Sequence, residues 1–146
     1  MSQLATLDPD FARRVETAFA RQPFMRTIGA SLVCVRAGEV EIALRQSDAL
    51  HQHHGFVHAA ALTAIVDSAC GFAAQTLMPP DREVLTVEFK ANFLAPARTP
   101  SFLARGRVKR PGQQIFVVEG EVFGVAADGA RKPVVAMLAT MMGVAL

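Results

Sequence analysis

Between Ala59 and Leu77 the chain reads AAALTAIVDSACGFAAQTL, nineteen residues with a single charge, Asp67. Alanine and leucine favour helix, and Pro79-Pro80 stops it. A helix that is apolar nearly all round has no face to give to water, so it must be buried on most sides. The rest of the chain has to wrap around it. With 146 residues, 51% of them hydrophobic and 19% charged, the chain is long and apolar enough to build that wrapping as one domain over residues 1–146, and it is not of the disordered class.

The flanking segments supply the wrapping as strands. SLVCVR and EVEIAL, between Gly29 and Leu44, break at Ala37-Gly38 and read as a hairpin. In the second of them Val40, Ile42 and Leu44 alternate with Glu39, Glu41 and Ala43, which gives one buried and one wetter face. Beyond the two prolines, strands are predicted at Val84–Leu94, Ser101–Arg110, Gln114–Ala126 and Lys132–Val144. Turn signals at Ala95-Pro96, Pro111-Gly112 and Asp128-Gly129 separate them. At the other end, DPDFARRVETAFAR (Asp8 to Arg21) offers Asp8 as a cap, Pro9 at a first-turn position, and Phe11, Val15 and Phe19 spaced by four. That predicts an amphipathic helix against the sheet, with residues 1–28 forming helix and lead-in. Helix, two strands, buried helix, four strands is the order of an α+β chain with an antiparallel sheet around a central helix.

Charge and cysteine usage narrow the function classes. A formal charge of +2 spread along the chain leaves no basic face for nucleic acid, and no apolar stretch reaches the roughly 20 residues that cross a bilayer. Cys34 and Cys70 lack CxxC spacing and the sequence shows no signal peptide, so free thiols and a cytoplasmic location are expected.

All four histidines fall in HQHHGFVH, from His51 to His58, just before the central helix. His51/His53 and His54/His58 have ligand-like spacings, but no Cys, Asp or Glu is expected to complete a zinc shell, so a solvated loop with no metal is predicted. Asp67 is the sharper signal. A carboxylate within TAIVDSACGF is costly to bury unless it is hydrogen-bonded, neutralised or functional; it either pairs with a nearby arginine or does chemistry. Cys70, one turn on, reads as a small buried hydrophobe rather than a nucleophile, and Phe72, Leu77 and Met78 as core.

Taken in order, Gln52, Gly55, His58-Ala59-Ala60 opening the helix, Asp67 about two and a half turns into it, Thr86, and the long strand VEFKANFLAPA from Val87 to Ala97 form a pattern. The pattern resembles the hotdog-fold acyl-CoA thioesterases, in particular the phenylacetate-pathway-like branch, from about Gly29 to Val144. The family has Gly-Gly where this chain has Ala59-Ala60. Gln52 matches the amide of hydroxybenzoyl-CoA-type members, and Asp67 is the phenylacetate-type acid.

The resemblance implies a hotdog fold, a strongly curved antiparallel sheet around the central helix, paired into a homodimer or homotetramer with active sites between subunits. It implies hydrolysis of an aryl or medium-chain acyl-CoA to a carboxylic acid and coenzyme A, without a cofactor. Asp67 would be general base or nucleophile, with Thr86 beside it holding water. Gln52 would polarise the thioester oxygen and His58 would lie near it. Gly55, Ala59 and Ala60 would bind substrate, the N–H groups of Ala59 and its neighbours at the helix start receiving the oxyanion, a role that survives Gly→Ala. His58 and Gln52 of one chain would face Asp67 and Thr86 of the other. Lys90, Arg98, Lys109 and Arg110 are able to meet the phosphates of coenzyme A, or to be solvated strand ends. Two rival functions remain: an enoyl-CoA hydratase or dehydratase pairing His53 or His54 with Asp67, and a non-catalytic acyl-CoA-binding module.

Overall fold

The computed structural model describes residues 4–145. Its elements are helices α1 (Phe11–Ala20), α2 (Pro23–Ile28) and α3 (Ala59–Gln75), and strands β1 (Ala30–Arg36), β2 (Glu39–Arg45), β3 (Glu83–Phe93), β4 (Ser101–Arg110), β5 (Ile115–Val125) and β6 (Arg131–Val144), with a 3-10 turn at Asp48–Leu50. The strands form one antiparallel sheet in the order β1-β2-β4-β5-β6-β3, curved around α3, which packs against every strand. The expected α+β hotdog arrangement is therefore present.

Burial follows the residue pattern. Val40, Ile42 and Leu44 are buried on β2, and α3 turns Leu62, Ile65, Val66, Ala69 and Cys70 into the sheet. From Ala69 to Met78 every residue is buried, so the C-terminal half of the helix is enclosed on all sides. Two glycines that the strand pattern alone does not explain make this possible. Gly106 and Gly120 are register partners on β4 and β5. A Cβ on Gly106 would come within 2.4 Å of the Ala69 backbone, and one on Gly120 within 2.7 Å of Val66 and 2.8 Å of the Cys70 sulfur. Helix and sheet touch backbone to backbone at Gly106, where nothing flexible can yield. Gly106→Ala is expected to cost about 1–3 kcal/mol as an overpacking change, lowering the melting temperature by roughly 3–10 °C in a calorimetric scan.

The lead-in departs from expectation. Instead of a single helix followed by coil, a second short helix, α2, runs from Pro23 to Ile28. Its signals are in the sequence: Pro23 at its first turn and Gly29 in the left-handed conformation (φ 76°) just after it. Helix α1 begins at Phe11 rather than Asp8, with the Asp8 carboxylate accepting from the Asp10 N–H. It lies against β1 and the end of α3. Its Arg14 guanidinium donates to the carbonyls of Gln75, Met78 and Pro79 (2.9, 3.4 and 2.9 Å) and pairs with Asp8 at 3.1 Å. Gln75 is the last residue of α3, and Met78 and Pro79 belong to the turn after it, so Arg14 ties the helix end and the turn that follows it to α1.

β3 is an edge strand, paired only with β6. A bulge after Thr86 shifts the alternation by one residue. Val84 and Thr86 face α3 before it; Ala91 and Phe93 do so after it, while Glu88 and Lys90 face the other side. Four large apolar side chains of this strand remain exposed: Leu85 (48%), Val87 (52%), Phe89 (40%) and Phe93 (48%). A long apolar edge with unpaired backbone groups is a template for a further strand.

Candidate active site

The sheet leaves one stripe of α3 uncovered, and Asp67 is on it, half-buried. Its carboxylate makes no ion pair among the described residues, so the arginine-paired alternative does not hold. Its partner is the Thr86 hydroxyl, which donates to Oδ1 at 2.9 Å. Burial pushes the carboxyl above its ordinary range, and the Thr86 hydrogen bond offsets part of that rise. Asp67 and Thr86 share a cleft of about 120 Å³ with Gln22, Ser68, Gly71, Phe72 and Val84. Cys70, fully buried one turn away, has its thiol pushed far up by burial and by the neighbouring Asp67 charge, which keeps it a packed thiol and not a nucleophile.

The start of α3 forms a second, larger cleft of about 380 Å³, lined by residues including Gln52, Phe56, His58, Ala59, Leu62 and Phe93. The loop leading into it is a tight turn. The Gln52 N–H donates to the Phe56 carbonyl (2.8 Å), the Gly55 N–H to the Gln52 carbonyl (3.0 Å), and Gly55 takes φ +80°, a conformation that side-chain-bearing residues rarely adopt. Gly55 thus shapes the loop and does not line the cleft, unlike the substrate contact that the resemblance implies. The Gln52 side-chain oxygen is taken by the His54 N–H, which leaves its NH₂ as the free donor.

His58 is the N-cap of α3: its Nδ1 accepts the Ala60 N–H at 2.9 Å, so Nε2 is the ring atom left for other contacts. This also corrects part of the expected donor set, because the Ala60 N–H is already used. The Ala59 N–H, by contrast, has no acceptor among the described residues, and it points where the helix dipole favours negative charge.

Within one chain the two clefts are separate. Eight helical steps, about 12 Å of rise, separate Ala59 from Asp67, so the structure brings together Asp67 with Thr86, and Gln52 with His58 and Ala59, but not the two groups with each other. Of the remaining histidines, His53 and His54 are exposed with rings 3.9 Å apart. His51 lies 3.7 Å from Asp48, a carboxylate the sequence reading leaves out; even so, no three His, Cys, Asp or Glu side chains among the described residues group as metal ligands. Among the basic residues, Lys109 pairs with Glu119 (2.6 Å) and Lys90 bonds Asn92 (2.9 Å). Arg98 stacks over Phe56 at 4.3 Å, beside the helix-start cleft.

Gln22 is the residue that sequence reasoning misses. It sits on the α1–α2 junction, remote from Asp67 in sequence, and its only local signal is the proline that follows it.

Comparison with known proteins identifies the family. A sequence model of the Thioesterase superfamily matches residues 54–125, a span that holds both the helix start and Asp67. A 1,4-dihydroxy-2-naphthoyl-CoA hydrolase of Listeria monocytogenes is 30% identical over 69 residues, 47% of this chain and 56% of that protein, so the match spans little more than half of that relative. A thioesterase family protein from Silicibacter pomeroyi is 40% identical, with a TM-score of 0.90 over 93% of this chain and 99% of the other. The E. coli PaaI protein from the phenylacetic acid degradation operon has the same fold, with a TM-score of 0.82 over 95% and 96% of the two chains at 15% identity. No helix among the described residues is long and apolar enough to cross a membrane. With the superfamily match lying over the helix start and the acid, and a thioesterase family protein aligned along nearly its whole length, the chain belongs to the thioesterase superfamily.

Proposed function

We propose that this chain is an acyl-CoA thioesterase whose working site is assembled from two copies. The observation that carries it is Asp67: a half-buried carboxylate, raised in pKa, inside a cleft, with a single hydroxyl partner and no cation among the described residues. Such a group is costly to keep unless it is used. Thr86 holds Oδ1, which leaves Oδ2 to take a proton from water. The water oxygen adds to the thioester carbonyl, and the negative charge that forms on the carbonyl oxygen is received by the Ala59 N–H, with the Gln52 NH₂ as a second donor. Collapse of this intermediate breaks the C–S bond and releases coenzyme A thiolate, which the solvent or the protonated Asp67 reprotonates, and the acid. Direct attack by Asp67 through a mixed anhydride uses the same atoms.

The 12 Å gap between donor and base calls for a second chain. β3 has an open apolar edge, with the Asp67 cleft along its Val84–Thr86 half and the helix-start cleft at its Phe93 end. Pairing β3 antiparallel with its copy about a two-fold axis sets the Thr86 half of one strand beside the Phe93 end of the other. Each base then meets the other chain's oxyanion donor, twice per dimer. Arg98, stacked beside the helix-start cleft, is the basic residue best placed to meet the coenzyme A phosphates.

The test joins a thiol-release assay over aryl and straight-chain acyl-CoAs with light scattering at micromolar concentration. Thiol release by a dimer or larger assembly is the expected result. A monomer removes the two-chain site, loss of enoyl absorbance on enoyl-CoA points to a hydratase, and binding without either reaction points to a carrier module.

A further inference from the structure

The Asp67 cleft has one wall that comes from outside the helix and sheet, and that wall is Gln22. Pro23 disfavours helix at the preceding residue, so Gln22 takes an extended conformation (φ −82°, ψ 107°) between α1 and α2. The corner is pinned on both sides. Phe19, one turn before it, packs on Phe72 with ring centroids 6.1 Å apart, and Met25, just after it, is buried. Gln22 is thus held at the cleft by packing. It is half-buried, and its side-chain amide makes no hydrogen bond among the described residues. An amide brought into a partly desolvated cleft loses water contacts and gains nothing unless a ligand restores them.

The dimensions say what kind of ligand. The cleft's 120 Å³ or so is close to the roughly 150 Å³ of a cavity that admits benzene. Its floor along α3 runs one turn, from Asp67 and Ser68 to Gly71 and Phe72, about 6 Å. Phe72, Val84 and the bare backbone of Gly71 give apolar walls; Asp67 and Thr86 mark the reacting end, and Gln22 lines the cleft at the corner pinned on Phe72. We propose that Gln22 is a specificity residue whose amide hydrogen-bonds an oxygen at the far end of a compact acyl group. Acyl-CoAs that carry a hydroxyl or carbonyl oxygen there are preferred over the same acyl group without it. This rests on the acyl-CoA reading of the site. A substrate lacking the oxygen leaves the amide unpaired, a loss that a matching shape does not restore.

The experiment uses a pair of uncleavable thioethers, phenacyl-CoA and its para-hydroxylated form, with binding measured by calorimetry, so the result does not depend on hydrolysis. Wild-type protein is expected to bind the hydroxylated compound about tenfold more tightly or better. Gln22→Leu and Gln22→Met, both checked for a native melt, are expected to bring that ratio close to one. A wild-type ratio near one overturns the assignment, as does a ratio unchanged in a folded variant. Thiol release from the matching benzoyl-CoA pair separates the two ideas: a binding preference with no thiol release by the wild type removes the hydrolase and keeps Gln22, whereas release without a preference removes Gln22 alone.

Discussion

Asp67→Asn is expected to lower kcat/KM for any acyl-CoA substrate by two orders of magnitude or more while leaving the melting temperature unchanged or higher. The amide keeps the size of the carboxylate and its oxygen still accepts from the Thr86 hydroxyl. What disappears is the lone pair that takes a proton from water, and loss of a general base costs about 10²–10⁴ in rate. The stability side follows from the direction of the pKa shift. Burial raises the folded-state pKa of Asp67 above its ordinary 3.8, so the fold binds the proton more tightly than the unfolded chain does. The stabilisation that comes from this is complete below the unfolded pKa and is lost as pH climbs through the folded value. Above that window the ionised carboxylate is held at a cost, and Asn removes the cost. A structural aspartate would behave the other way, with a lower melting temperature and normal turnover per folded molecule. Thiol release and thermal melts on one preparation distinguish the two, and a wild-type rate in the Asn variant takes Asp67 out of the mechanism. The acid limb of the wild-type rate profile should sit above 3.8 for the same reason, since rate is lost as the base protonates.

How much of this is legible in the sequence depends on whether a residue's signal is local. The apolar run around Asp67 announces a buried helix with a misplaced charge, and both readings hold because each needs only its neighbours in the chain. β4 falls at its expected position, and the other strand ends lie within one residue of theirs, because alternation and turn residues are local too. Gly106 and Gly120 look like weak points in strands until α3 is laid across them; only the packed structure shows that a side chain there would strike the helix backbone. The bulge after Thr86 is likewise silent in sequence, yet it puts Thr86 and Phe93 on one face of β3. Gln22 is the extreme case. Pro23 and Gly29 advertise a short helix, but nothing nearby says that its leading corner lines the Asp67 cleft, because that depends on Phe19 meeting Phe72.

The proposed division of the site between two chains predicts a recovery of activity when two inactive variants are mixed. Ala59 is the first residue of α3, and His58 before it is already extended (φ −61°, ψ 139°), the conformation that a following proline requires. Proline is favoured at a first helical position because the N–H it lacks has no helical partner. In this chain that N–H is the proposed oxyanion donor, so Ala59→Pro removes the catalytic hydrogen bond while suiting the helix. It should melt near the wild-type temperature and lose about 10²–10³ in kcat, the scale for one oxyanion donor. Asp67→Asn is equally crippled by a different lesion. If base and donor come from different subunits, a mixed dimer of the two variants gathers both lesions into one site and leaves the other wild type. Random exchange gives half mixed dimers, each with one good site of two, so equal amounts of two nearly inactive proteins should recover about a quarter of wild-type activity per chain. Should both groups act within one chain, every site in every mixture keeps a lesion, and unfolding and refolding the variants together restores nothing.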